Sequence, residues 1–144
     1  MFHRMIKALI PLAGASLLIG FAPQYTDAEL IAKVIWAEAR GECRQGQLLI
    51  GQTIINRVEY GFWGSDIRSV VESPGQFARI RRLCPDMLEV AEAVLAGEQY
   101  NQDVKILFFR SNGNGGDWWR PRLGEIGGHS YYGLTREGTN GQAN

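Results

Sequence analysis

The sequence predicts a mainly α domain with a small β or loop flap, preceded by a hydrophobic export or anchor helix at the N-terminus. Three observations carry this. From about residue 27 to residue 96, apolar residues recur at helical spacing, punctuated by cap and stop residues. Only Val104 to Phe109 (VKILFF) is a clear strand-like run. Ala8 to Ala22 is an uninterrupted low-polarity stretch behind a basic start containing Arg4 and Lys7.

The elements follow in order. The first apolar stretch has the form of a secretory signal and is short of the roughly 20 residues a membrane span needs. It is either cleaved, after Ala22 or Ala28, or retained as a membrane anchor through residues 5–22; a first core helix is a third reading. Residues 1–28 are therefore set apart from a domain over 29–144. Thr26 and Glu29 read as a capping box, and Leu30, Ile31, Val34, Ile35 and Trp36 follow at helical spacing. This helix spans Asp27 to Arg40, with Gly41 as its left-handed stop. A second helix runs from about Gln45 to Glu59, where Gly46 and Gly51 suggest close packing. Ser65 or Asp66 caps a short helix through Glu72, which Pro74-Gly75 ends. Pro85 opens a helix to Ala96, with Leu88, Val90, Ala91, Val94 and Leu95 inward and Gly97 as stop. Ser111 to Gly128 is glycine-rich and reads as a long loop, of the kind that is often functional. His129 to Tyr132 reads as a second short strand.

Composition narrows the function. The 144 residues are 45% apolar, enough for a core, and 15 basic side chains balance 15 acidic ones. A neutral chain with no long basic run does not read as a nucleic-acid binder. Cys43 and Cys84 fit one disulfide in an exported protein, or two separate buried thiols. With no CxxC and only His3 and His129 as histidines, no metal site and no cofactor are expected. The chain reads as a monomer.

The chemistry centres on Ala37-Glu38-Ala39-Arg40-Gly41-Glu42. Glu38 closes an otherwise apolar helix. The negative end of the helix dipole and apolar neighbours both disfavour a carboxylate there. A protonated carboxyl at neutral pH is what a glycosidic general acid requires. The plain alternative is a surface glutamate paired with Lys33 or Arg40. Trp118 and Trp119, adjacent in a glycine-rich loop, suit stacking on sugar rings, whereas Trp36 reads as core.

A series of motifs adds to this. WAEARGE, then Gly46-Gln47, then Ile55-Asn56-Arg57-Val58, then Val70-Val71 with Gln76-Phe77, then Ile126-Gly127-Gly128-His129-Ser130-Tyr131-Tyr132 stand in one order. This series resembles the SleB/CwlJ-type cell wall hydrolases over about Glu29 to Tyr132. The resemblance implies a lysozyme-like catalytic domain acting on peptidoglycan outside the cytoplasm, in the periplasm or cell envelope. It implies a lytic transglycosylase with Glu38 as both acid and base. It also implies that Gln76 and Phe77 line the groove, although Phe77 reads equally as core and Gln76 as simply exposed. His129 and Tyr131 become candidates for orienting substrate or Glu38. Glu42, the near candidate for the second carboxylate a hydrolytic lysozyme uses, reads as structural, with Asp117 and Glu125 left open. Asn56 and Arg57 read as a cap and a surface charge at the close of the second helix, or as part of the site. The family often has a YH-type pair where this chain has Phe108-Phe109, so no role is carried over for that histidine. Two further readings are an N-acetylmuramoyl-L-alanine amidase, which would need about three zinc ligands, and a non-catalytic peptidoglycan-binding module. A phage lytic enzyme would share the chemistry and differ only in delivery.

Overall fold

A computed structural model describes residues 24–79, 82–112 and 122–135. The elements in order are α1 (Asp27–Ala39), α2 (Arg44–Tyr60), α3 (Ile67–Glu72), a 3-10 turn (Pro85–Met87) and α4 (Leu88–Leu95), then β1 (Val104–Ser111), β2 (Arg122–Ile126) and β3 (His129–Thr135). The fold is helical with a small antiparallel sheet. The expected export or anchor helix lies outside the described residues, as do Asp117, Trp118 and Trp119. Among the described residues no helix is long and apolar enough to cross a membrane.

Local chemistry sets the helix ends. Thr26 Oγ1 accepts from the Glu29 amide at 3.3 Å, and Glu29 Oε2 accepts from the Thr26 amide at 2.7 Å. Such a cap is worth about 1 kcal/mol. The other end of α1 departs from expectation. Arg40 is right-handed and Gly41 does not take a positive φ. A tight turn stops the helix instead, with the Glu42 amide donating to Ala39 O at 3.0 Å. Gly61, at φ 79°, is the residue that closes α2 in the left-handed conformation. Pro85 opens a 3-10 turn ahead of α4, and Leu95 on α4 is exposed, leaving Val90, Ala91 and Val94 as its buried face.

The core lies where α1, α2 and α4 meet, around Ile31, Ile35, Leu49, Ile50 and Ile54. Gly51 permits that approach, because a Cβ there would stand 2.5 Å from Val94 Cγ2. The two cysteines are not bridged: Cys43 is exposed at the start of α2 and Cys84 half-buried before the 3-10 turn. Of the two readings left open, the structure has separate thiols, although neither is fully buried.

The three strands stand in the order β1-β3-β2, all antiparallel. The glycine-rich stretch read as loop therefore contains β2, paired with β3 across a Gly127-Gly128 turn. In β1 the register slips between Ile106 and Phe108, so Leu107 is an extra, bulged residue. Ile106 and Leu107 are consequently both fully buried. Side chains of α2 hold this strand. Asn56 Nδ2 donates to Ile106 O at 2.9 Å, Arg57 Nε to Leu107 O at 2.8 Å, and Gln52 Nε2 to Val104 O at 3.4 Å and, just ahead of the strand, to Asn101 O at 2.7 Å. Asn56 is thus no cap; it lies inside a helix that continues to Tyr60.

Candidate active site

The last turn of α1 carries Glu38 to the wall of a cleft of about 610 Å³. Facing it is the segment after α3. Pro74 and Gly75 form a turn closed by the Gln76 amide donating to Ser73 O at 3.3 Å. Gly75 at φ 72° supplies the left-handed residue that such a turn demands. The turn sets Gln76, Phe77 and Ala78 along the cleft. The Ala78 amide donates to Glu38 Oε1 at 2.6 Å. Glu38 pairs with neither Lys33 nor Arg40, whose cations lie over the rings of Tyr25 and Trp36. Trp36 is half-buried between the guanidiniums of Arg40 and Arg82, at the edge of the core.

Arg57 forms the floor. It is only 4% exposed, so it is no surface charge. Its guanidinium lies 4.6 Å from the centre of the Trp63 ring, 4.9 Å from Phe77 and 5.6 Å from Phe108. Nη1 reaches Gln76 Oε1 at 3.4 Å. Burial pushes this group down to about 10, while the nearby Glu38 carboxylate pulls the other way. Arg57 therefore remains a cation at neutral pH, facing Glu38. Glu38 thus has two polar neighbours from distant segments, the Ala78 amide and the Arg57 cation.

Phe77 and Phe109 stack at 6.3 Å, and with Phe108 they give the cleft aromatic walls. Among the described residues lining it, Glu38 is the only carboxylate. Glu42 is committed elsewhere. Its Oε2 accepts from the Gly128 amide at 3.0 Å, and its Oε1 lies 3.7 Å from His129 Nδ1. Gly46, Gly127 and Gly128 leave room for it, since a Cβ on any of them would strike its side chain. Glu125 pairs with Arg122 and accepts from Asn112 Nδ2. Among the described residues no group of three or more His, Cys, Asp or Glu gathers to hold a metal.

Residues 41–132 match the cell wall hydrolase family, most of the chain. The chain belongs to that family. The matched stretch begins three residues beyond Glu38. This cell wall hydrolase is 30% identical over 105 residues to a cell wall hydrolase of Halalkalibacterium halodurans, covering 65% of this chain and 73% of the relative. It is 28% identical over 124 residues to a cell wall hydrolase of Bacillus subtilis, covering 77% and 87%. A spore cortex-lytic enzyme of Oceanobacillus iheyensis is 27% identical over 113 residues, covering 73% of this chain and 41% of the relative, so the chain spans under half of that protein. The fold resembles the crystal structure of the catalytic domain of the Bacillus cereus SleB protein (TM-score 0.66, 21% identity, 77% of this chain and 94% of that one). It likewise resembles the catalytic domain of a germination-specific lytic transglycosylase from Bacillus anthracis (TM-score 0.65, 20% identity, 78% and 99%).

In this cell wall hydrolase Glu38, Gln76 and Phe77 share one cleft. His129 and Tyr131 stand behind it. His129 is 6% exposed and meets the Phe109 ring edge-on. Tyr131 is buried with its hydroxyl 3.5 Å from that of Tyr100. Burial and that contact push it up to about 12, so it stays protonated. Phe108, Phe109, Arg110 and Ser111 are cleft residues that sequence reasoning did not single out, while Arg57, left open between a surface charge and a site residue, lines the cleft. For Arg57 the signal was a polar Asn-Arg pair set among Ile54, Ile55 and Val58, where a surface pair would interrupt the apolar face.

Proposed function

We propose that this chain cleaves peptidoglycan glycan strands between N-acetylmuramic acid and N-acetylglucosamine as a lytic transglycosylase, outside the cytoplasm and as a single chain. Glu38, in its protonated form, gives its proton to the glycosidic oxygen as the bond from C1 breaks. The resulting carboxylate then takes the proton of the muramyl 6-hydroxyl while that oxygen attacks C1. A 1,6-anhydro ring closes, and no water is consumed. Glu38 ends protonated again.

The observation that carries this reading is that, among the described residues, Glu38 is the lone carboxyl in an aromatic-walled cleft. A hydrolysing pair would place a second carboxylate across the scissile bond; the nearby acid, Glu42, is instead tied to the Gly128 amide. The Ala78 amide and Arg57 steady Glu38 during the half of the cycle in which it is charged. Phe77, Phe108 and Phe109 offer faces to sugar rings and Gln76 offers an amide to their substituents. The names of the relatives, among them a cortex-lytic enzyme and a lytic transglycosylase, agree with this substrate.

Digestion of purified peptidoglycan tests it, with products weighed by mass spectrometry. Anhydro-ended muropeptides are expected from the parent and not from Glu38→Gln. Reducing-end sugars would mean hydrolysis, free stem peptides an amidase, and unchanged wall a binding module. Each of these outcomes overturns the proposal.

A further inference from the structure

We infer that a second cavity beside the cleft binds a carboxylate of the peptide stem borne by the glycan strand, with Lys33 as its anchor; this rests on the proposed action on glycan strands. The cavity measures about 620 Å³ and shares Gly75, Phe77 and Ala78 with the Glu38 cleft. Lys33 and Arg79 line it. Lys33 sits on α1 five residues before Glu38, about 7.5 Å away along the helix axis.

Lys33 is 8% exposed. An ammonium removed from water needs an anion to replace the lost hydration. Its Nζ lies 3.6 Å from the centre of the Tyr25 ring, and a ring face offsets only part of that loss. Among the described residues no carboxylate comes within ion-pair distance of it. Glu72, the one acid among the described residues lining the cavity, is paired with Arg68 at 3.0 Å. Arg68 also donates to Tyr25 O at 2.7 Å, fixing the residue whose ring covers Lys33. The cavity therefore presents a preorganised cation, with exposed Arg79 as a second cation on its lining.

A glycan strand in the cleft presents mostly neutral groups, for which a buried ammonium has no use. The peptide branch on its muramyl residues ends in carboxylates. A cavity adjoining the cleft is where such a branch would lie. A glycan stripped of peptide exposes a lactyl carboxylate of the same chemistry, so the test separates the two.

The experiment uses the full chain and soluble glycan strands in three forms: peptide-bearing, peptide-bearing with amidated carboxyls, and peptide-stripped. On peptide-bearing strands Lys33→Met is expected to raise KM about tenfold, with kcat within about twofold and Lys33→Arg restoring most of the loss. Arg79→Gln, on the exposed lining, should raise KM about threefold. On amidated strands the parent should already show the higher KM, and Lys33→Met should add nothing. Equal KM of the parent on native and amidated strands overturns the proposal, whether or not Lys33→Met folds. Tight binding of stripped strands would assign the cavity to the lactyl group and overturn the stem assignment. Affinities measured with Glu38→Gln read the cavity without catalysis. Discrimination against amidated strands there, in a parent that cleaves nothing, would sink the proposed reaction and leave the cavity standing.

Discussion

Replacing Arg57 with methionine keeps most of the buried stem and removes the charge. The structure allows the cost to be worked out. Nε holds the buried Leu107 carbonyl at 2.8 Å, and a charged hydrogen bond of this kind contributes about 1.5–3 kcal/mol. Three ring faces between 4.6 and 5.6 Å away surround the guanidinium, together about 2 kcal/mol. Against this, a guanidinium held at about 10 instead of its ordinary 12.5 bears a net penalty of roughly 3 kcal/mol for its charge. The balance favours arginine by about 0.5–2 kcal/mol, and the stranded Leu107 carbonyl adds about 1 more. Arg57→Met should therefore destabilise by about 1.5–3 kcal/mol, lowering Tm by roughly 5–12 °C, while the protein still folds. Turnover should suffer more, because Glu38 loses its cationic neighbour and Gln76 its donor. Urea melts and initial rates on glycan strands, measured on the folded fraction, separate the two. Loss of more than about 5 kcal/mol, or full activity in a folded variant, would refute the account.

Glu42→Ala should cost about 1.5–3 kcal/mol by leaving the Gly128 amide without its carboxylate. Hydrogen exchange at Gly128 should accelerate, and Glu42→Gln, which keeps an acceptor, should retain more than half of the stability. A melt indistinguishable from the parent would show that this contact is immaterial. Gly51→Ala drives a methyl toward Val94 and should cost about 1–3 kcal/mol. In Gly51→Ala/Val94→Ala the combined loss should fall short of the sum of the single losses; strict additivity in urea melts would contradict the packing argument.

Local signals in the sequence were good guides where the chain acts locally. Thr26 and Glu29 mark the start of α1, and Pro74-Gly75 marks the turn beyond α3, because both depend on a few neighbouring residues. What depends on distant segments was hidden. β2 (Arg122–Ile126) is poor in β-branched and aromatic residues, and it is a strand because β3 pairs with it. Its Gly124 gives space to the Tyr131 ring, a requirement set seven residues away. The Gly127-Gly128 pair was a readable hairpin signal that its glycine-rich surroundings obscured. For Arg57 the apolar neighbours Ile54, Ile55 and Val58 were a hint, but its two readings stayed open because nothing nearby announces that β1 and three aromatic rings will enclose it. Gln76 and Phe77 came to the site through family resemblance, since no spacing rule links them to Glu38 across some forty residues. Glu38 itself was legible as an acid in apolar company, but not its contact with the Ala78 amide.

The extra residue in β1 has a wider consequence. An unbroken strand alternates its side chains strictly, so one residue added to it exchanges the two faces for everything beyond. At Leu107 that alternation is reset. Upstream, Ile106 and Leu107 are sealed in the hydrophobic interior; downstream, Phe108, Phe109, Arg110 and Ser111 all line the Glu38 cleft, with Phe109 also touching the core. One strand thus serves both compartments in turn, and Phe109 is where a change made for one is felt by the other.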